Sequence, residues 1–193
     1  MKKFKLTSEF IVDISGVKLF RIKALIEFGN VKAGDLGGYI EKEENLSHMG
    51  NAWVSGNAQV SGDARVSGNA RVSGDAQVFG DARVSGDARV FGNAQVSGDA
   101  RVFGNAWVSG DAWVSGNAQV SGDKDYAYAH GFGSCNRTTT FFRLKDGDVG
   151  VRCGCFYGTL AQFRDNVCET HGETKKAQEY LMLADLMDFR FKN

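Results

Sequence analysis

The sequence of 193 residues contains no proline, only four cysteines and three histidines, and no excess of charge of either sign. Lys and Arg total 23, as do Asp and Glu. Without a positive excess the chain cannot displace many counterions from a polynucleotide, so nucleic-acid binding is not expected. Cysteines this sparse exclude a disulfide scaffold and favour a reducing compartment, the cytoplasm.

Long apolar runs are also missing. No segment approaches the roughly 18 apolar residues that a membrane-spanning helix needs, so no membrane association is expected. The opening MKKFKLTSEF is charged and then mixed, which is unlike the apolar core of a secretory signal. Neither a Walker motif nor a dinucleotide fingerprint occurs, and no cofactor is predicted.

Glycine, by contrast, is abundant at 25 residues, and nearly half of it lies in one repeat. From 52 to 123 the pattern Ala-x-Val-[Ser/Phe]-Gly-[Asn/Asp] occurs twelve times in succession. A period of six does not fit a helix, whereas Ala-x-Val-Ser alternates with the period of a strand. The Gly-Asn and Gly-Asp pairs allow a sharp corner. The repeat therefore predicts a coil of short parallel strands.

This repeat, first seen in Val54-Ser55-Gly56-Asn57-Ala58, resembles the hexapeptide-repeat family, whose chains form a left-handed parallel β-helix. The resemblance implies three hexads per turn, about four coils over 52–123, and a homo-oligomer, most simply a trimer. The segments LFRIKAL and FGNVKAGDLGGYIEKEENLS resemble uncharacterised phage and prophage proteins of this family. Some of those are labelled acyltransferases from the repeat alone, which is an analogy of fold.

Three hexads per turn would stack residues 18 apart on three outer faces. One face would carry Arg65, Arg83 and Arg101, which we expect Asp63, Asp81 and Asp99 to neutralise. A column of glutamines on another face is expected to form an amide ladder. Six aromatic residues should point outward, and they are the predicted partner-binding residues: Trp53, Phe79, Phe91, Trp107, Trp113 and Phe103. End modules, other copies of the chain or a foreign protein are all possible occupants.

The two ends differ in composition from the array. Residues 1–51 predict a β-hairpin cap that turns at Ser15-Gly16, followed by an entry loop in which Ile40 and Leu46 begin the hexad phase. Residues 124–193 predict a small α+β module with a hairpin over 138–156 and helices capped by Thr159 and Thr174. The second helix is expected to carry these apolar residues: Ala177, Leu181, Ala184, Leu186 and Phe189. The fold class is mainly β.

Three kinds of chemistry could use the histidines and cysteines of this chain. The resemblance implies that an acyltransferase of this family would use a histidine on or near a coil as base, but His48, His130 and His171 all lie outside the hexads, and no loop interrupts the coils. A zinc set is conceivable from one pair of strand cysteines and one Cys-x-x-His: Cys153, Cys155, Cys168 and His171. A nucleophilic cysteine beside His171 is a further option. The alternative is that small cysteines fill a core.

A ligand site is the fourth possibility, in the segment GFGSCNRTTT. Its glycines, hydroxyls and arginine suit a phosphate or nucleotide, with these candidates: Ser134, Arg137, Thr138 and Thr139. The alternative is a linker that leads into a threonine-rich strand.

We therefore expect a non-enzymatic accessory protein of the phage or prophage type, in the cytoplasm of a bacterial host. It would be a rigid oligomeric scaffold whose C-terminal module binds a host protein. One specific hypothesis is that this binding inhibits a host defence enzyme. The alternatives are a protein that binds or sequesters a nucleotide or phosphate, and an acyltransferase that uses acyl-CoA.

Overall fold

The computed structural model describes residues 1–133 and 137–192, and a parallel β-solenoid forms its centre. Each hexad contributes one two-residue strand, and the glycine after it turns the corner. The strands are β4 (Trp53–Val54), β5 (Gln59–Val60), β6 (Arg65–Val66), β7 (Arg71–Val72), β8 (Gln77–Val78), β9 (Arg83–Val84), β10 (Arg89–Val90), β11 (Gln95–Val96), β12 (Arg101–Val102), β13 (Trp107–Val108), β14 (Trp113–Val114) and β15 (Gln119–Val120).

The interior of the solenoid is closed. Every hexad valine from Val54 to Val120 and every hexad alanine from Ala52 to Ala118 is 0% exposed. Alternating valine and alanine give each turn a large and a small inward position, so successive turns stack without a void. The predicted inward residues are therefore confirmed.

The predicted faces are also confirmed by strand register. Strands β4, β7, β10 and β13 form the first face, in which Arg71 pairs with Arg89 and Arg89 with Trp107. Strands β5, β8, β11 and β14 form the second face, and β6, β9, β12 and β15 form the third. On the third face Arg83 pairs with both Arg65 and Arg101.

Two expected side-chain ladders are absent from the described residues, and another takes their place. No acidic group lies within 4 Å of the third-face arginines, and no bond joins the stacked glutamines. Instead the corner asparagines donate to the residue one turn later, as Asn57 does to Asp75 at 3.1 Å and Asn93 to Asp111 at 2.9 Å. Short amides at the corner have the reach for this contact.

The solenoid has about five turns, where four were expected. Strand β3 (Leu36–Ile40) pairs in parallel with β5, and Leu46, after a short 3₁₀ helix (Glu43–Asn45), bridges Val66. The corner between Ile40 and Leu46 has no Gly-Asn or Gly-Asp pair, although Gly50-Asn51 forms one before β4, so the spacing of Ile40 and Leu46 was the main indication of this turn.

An N-terminal hairpin continues the second face. Strand β1 (Phe4–Val12) pairs antiparallel with β2 (Lys18–Ala24), and β2 pairs antiparallel with β3, so seven strands form one sheet. The turn between the two strands contains Ser15 and Gly16, as predicted. Phe4 and Ile22 are fully buried against the first turns, which covers the open end of the solenoid.

The C-terminal module is a four-stranded antiparallel sheet with two helices. Its elements are β16 (Tyr126–Phe132), β17 (Arg137–Arg143), β18 (Val149–Cys153), β19 (Phe156–Thr159), α1 (Leu160–His171) and α2 (Lys175–Phe191). The hydroxyl of Thr159 accepts from the backbone N–H of Gln162 and that of Thr174 from Ala177, so both predicted caps are confirmed. No helix in the described part of the chain is long and apolar enough to span a membrane.

The apolar residues of α2 are divided between the core and solvent. Leu186 is 55% exposed and Phe189 is 81% exposed, while the buried side consists of Ala177, Tyr180, Ala184, Met187 and Phe191. The helix carries apolar residues on both sides, so periodicity alone did not identify the side that meets the sheet.

Candidate binding surfaces

The predicted partner-binding aromatics divide into buried, half-buried and exposed residues. Trp53 is only 5% exposed, because the entry loop covers it and Phe28 meets its ring edge-on at 5.4 Å. The expectation that Trp53 points to solvent is therefore wrong. Strand alternation did place it on the outer face, but the N-terminal segment folds over that position.

Trp113 joins the solenoid to the C-terminal module. Its indole N–H donates to Ser97 at 2.9 Å, and its backbone N–H donates to the hydroxyl of Thr140 at 2.9 Å. The guanidinium of Arg152 lies over its ring, 3.8 Å from the centroid. These contacts place a rigid junction at the last turn, and intrachain packing accounts for this aromatic residue.

Trp107 is the most exposed of the six, at 47%. Phe91 packs edge-on against it at 6.1 Å, and the guanidinium of Arg89 lies 4.9 Å from its centroid. Its backbone N–H donates to the carboxylate of Asp123 at 3.2 Å. Neighbours on the same face thus hold the ring in position while nearly half of its surface remains in solvent.

A depression of about 390 Å³ opens beside this ring, and we call it the Trp107 depression. Its lining comes from the last first-face strand and the corner after it, the segment between β15 and β16, β16 itself and the end of α2. Its residues are Trp107, Ser109, Asp123, Tyr126, Ala127, Tyr128 and Arg190.

Hydrogen bonds and stacking hold the walls of the Trp107 depression. Arg190 donates to the backbone oxygen of Asp123 at 3.0 Å, which joins α2 to the exit of the array. The rings of Tyr126 and Tyr128 stack at 6.5 Å. Burial raises the pKa of Tyr126, against the opposing effect of hydrogen bonds to Ser109, so this phenol stays neutral at physiological pH.

The tyrosines and arginine of this depression were not among the predicted site residues. A signal was present in the alternation Tyr126-Ala127-Tyr128-Ala129, which is typical of a strand with one aromatic face. Arg190 lies 67 residues from its partner Asp123, and nothing in the local sequence indicates that contact.

The predicted ligand residues are separated by the fold. Thr139 is buried and donates to Cys153 at 3.2 Å, while the Thr138 hydroxyl contacts His130 at 2.9 Å. Ser134 lies outside the described residues. Arg137 lines a cavity of about 100 Å³ together with Cys153, Phe156, Phe163, Asn166, Val167, His171 and Tyr180. A space this small is well below the roughly 300 Å³ of ordinary ligand pockets.

The zinc set is not assembled. No group of three or more His, Cys, Asp or Glu side chains in the described part of the chain is placed to hold a metal ion. Cys155 and Cys168 are exposed, whereas Cys153 and His171 both line the small cavity. His171 stacks on the ring of Tyr180 at 5.8 Å, and the Tyr180 hydroxyl lies 3.9 Å from Cys153. The arrangement is that of a packed core edge.

The other two histidines make local contacts outside the coils. His48 accepts a hydrogen bond from the backbone of Lys3 at 3.2 Å and stacks on Phe4 at 4.3 Å. His130 is exposed on β16. Within one chain, none of the three histidines lies on a repeat strand where a hexapeptide acyltransferase would place its base.

Comparison with known families supports the class of protein that this fold defines, a repeat β-solenoid. Residues 58–74, 64–80, 76–98 and 94–110 match the family model described as the YdcK beta solenoid repeat. The matched spans cover the centre of the array, and the description carries no activity. No curated protein matches the chain. The central turns are thus similar to YdcK solenoid repeats.

Proposed function

We propose that the protein is a non-enzymatic scaffold that recognises a partner protein through the Trp107 depression. The exposed ring of Trp107, in a depression lined by both the solenoid and the C-terminal module, is the observation that carries this proposal. The resemblance to phage and prophage proteins supports a host protein in the bacterial cytoplasm as the partner, with inhibition of a defence enzyme as one form of the activity.

The composition of the depression supports protein recognition. Trp, Tyr and Arg are the residues most enriched among interface hot spots, and all three types line it. Trp107 and the tyrosines are rigid and lose little conformational entropy when a partner binds. The Asp123 and Arg190 groups at its edge add polar contacts that fix orientation.

The solenoid supports a scaffold role because its interior has no room for a substrate. All of its inward valines and alanines are fully buried, and the turns follow one another without an inserted loop. A closed, regular array can instead hold the C-terminal module in a fixed position. The contacts at Trp113 fix the C-terminal module on the solenoid. The module includes β16 and α2, which form two walls of the depression.

Affinity capture from host lysate tests this function. Full-length protein should recover a specific protein, which is then purified and titrated against variants. Trp107→Ala should weaken binding at least about thirtyfold, the effect of losing roughly 2 kcal/mol at a hot spot. Trp107→Phe, which keeps an aromatic ring, should lose less.

Phe10→Ala serves as the matched control, since Phe10 is 46% exposed on the N-terminal hairpin, at the other end of the array. This variant should bind like the wild type. Equal binding by Trp107→Ala, or recovery of no specific protein by the wild type, contradicts the proposal. Thermal unfolding of each variant shows whether the fold is retained.

A further inference from the structure

The third face of the solenoid forms a second, larger groove of about 660 Å³, which we call the arginine groove. Arg65, Arg83 and Arg101 lie on successive turns along it, one strand spacing of about 4.8 Å apart. Its full lining is Glu44, Ser47, Arg65, Val66, Ser67, Arg83, Ser85, Arg101, Phe103 and Gln119.

The three guanidinium groups have no acceptor of their own. Within the described residues none of them makes a hydrogen bond, an ion pair within 4 Å or a ring contact. Elsewhere the chain does satisfy arginines, as in the contact of Arg164 with Asp185. Asp63, which precedes this face, is bound by Lys42 at 2.7 Å, and its pKa is lowered mainly by that lysine and only in smaller part by the charge of Arg65.

Stacking three unpaired cations costs energy. At one strand spacing, like charges repel one another even in water. The repeat tolerates glutamine or tryptophan at the same hexad position, as at Gln119 and Trp107, so arginine is not required for folding. A ligand carrying several negative charges would relieve the repulsion and accept hydrogen bonds from the three guanidinium groups.

The groove favours a compact anion over a long polymer. Its volume is within the roughly 300 to 1,000 Å³ of small-molecule sites. The carboxylate of Glu44 lies at one end, and Asp63, Asp81 and Asp99 follow the corner beside it, which discourages an extended chain of charges. Ser67 and Ser85 follow Arg65 and Arg83 by two residues on the same turns, so their hydroxyls lie beside the arginine column and can donate to phosphate oxygens.

Phe103 provides an aromatic surface at the end opposite Glu44. It follows Arg101 by two residues on the same turn and is half-buried, so one part of its ring is held while another part faces the groove. A ring beside a cluster of arginines is the combination that binds a base together with its phosphates.

We propose that the arginine groove binds a nucleoside polyphosphate, with the phosphates on Arg83 and Arg101 and the base against Phe103. The proposal concerns a site distinct from the Trp107 depression and does not depend on the proposed protein partner. Binding requires no covalent step.

Isothermal titration of the full chain with ATP, inorganic triphosphate and adenosine tests the assignment. We expect ATP to bind best, triphosphate more weakly and adenosine not detectably, with affinity falling as salt is raised. Arg83→Gln should weaken ATP binding about tenfold or more, because a charged hydrogen-bond donor is lost. Phe103→Ala should weaken ATP binding but leave triphosphate binding unchanged.

The control variant is Arg71→Gln, which removes the same charge from the first face and should bind ATP like the wild type. Absence of ATP binding to the wild type, or an equal loss in Arg71→Gln, overturns the site. Equal affinity for ATP and triphosphate overturns the contact between base and Phe103. Unchanged thermal unfolding of each variant ensures that a loss reflects the groove.

Discussion

The guanidinium of Arg152 lies 3.8 Å from the centre of the Trp113 ring, so a strand of the C-terminal sheet is stacked directly on the last solenoid turn. Trp113 also donates its backbone N–H to Thr140 on the neighbouring strand. Two strands of the module thus contact one residue of the array. This contact fixes the orientation of the module, and with it the walls around Trp107.

Arg152→Ala is expected to destabilise the chain by about 1 to 2 kcal/mol, since it removes a desolvated cation–π contact. Arg71→Ala, at an arginine on the first face, should change stability by less than about 0.5 kcal/mol. Urea unfolding followed by circular dichroism measures both. A double-mutant cycle with Trp113→Leu should show coupling of the two residues, and additive effects would contradict the stacking contact.

Gly86→Ala is expected to destabilise the solenoid by at least about 1 to 2 kcal/mol. Gly86 has φ of +68°, and an added Cβ would lie 2.9 Å from the backbone nitrogen of Gly104. Gly122 closes the last hexad with neither restriction, so Gly122→Ala should be nearly neutral. Differential scanning calorimetry compares the pair. Equal melting temperatures would show that the corners are not packed as described.

Val84→Ala at the centre of the array is expected to cost about 2 to 3 kcal/mol, because two buried methyl groups are lost and the closed interior cannot collapse around the gap. The adjacent Ser85→Ala faces outward and should cost less than about 0.5 kcal/mol. Chemical denaturation gives both values. A small effect of Val84→Ala would mean that this valine does not line a packed interior.

Stability should rise with pH between about 8 and 10.5 because of Lys3. Burial lowers the pKa of Lys3 from 10.5 to about 8, and its amine donates to the backbone oxygen of Ala52 at 2.8 Å. In this window the unfolded chain holds more protons, so the free energy of unfolding increases by up to roughly 1.4 kcal/mol per pH unit. The cost of burying the charged amine is fully present below pH 8.

Lys3→Met keeps the length of the side chain and removes the titration. Urea unfolding gives the free energy of unfolding of both proteins across the same pH window. The difference between the two values should increase with pH as described for Lys3. Parallel pH profiles for the two proteins would contradict the burial of a titrating amine at this position.

The sequence predicted the array well because its determinants are local. Val84 and Ala82 show the strand alternation, and Gly86 with Asp87 shows the corner, all within one hexad. Stacking identical units then follows from the period. The extra turn was harder to predict, since no Gly-Asn or Gly-Asp pair precedes Leu46 and Gly50 follows it by four residues, where a regular hexad has two.

The surfaces were predicted less well because they depend on distant segments. Trp53 obeys the alternation and is nevertheless covered by Phe28, which belongs to a loop of separate sequence character. The Trp107 depression needs Arg190 from the last helix, and the contact between Arg190 and Asp123 is set by how the module docks. Neither contact leaves a local pattern.

The central claim is that the partner occupies the depression beside Trp107, and hydroxyl-radical footprinting of the purified complex measures this most directly. Trp107 and Tyr128 should be protected from oxidation when the partner is bound, while Phe10 on the remote hairpin is oxidised equally in the free and bound protein. Oxidation of Trp107 at the same rate in both states would show that the partner binds elsewhere.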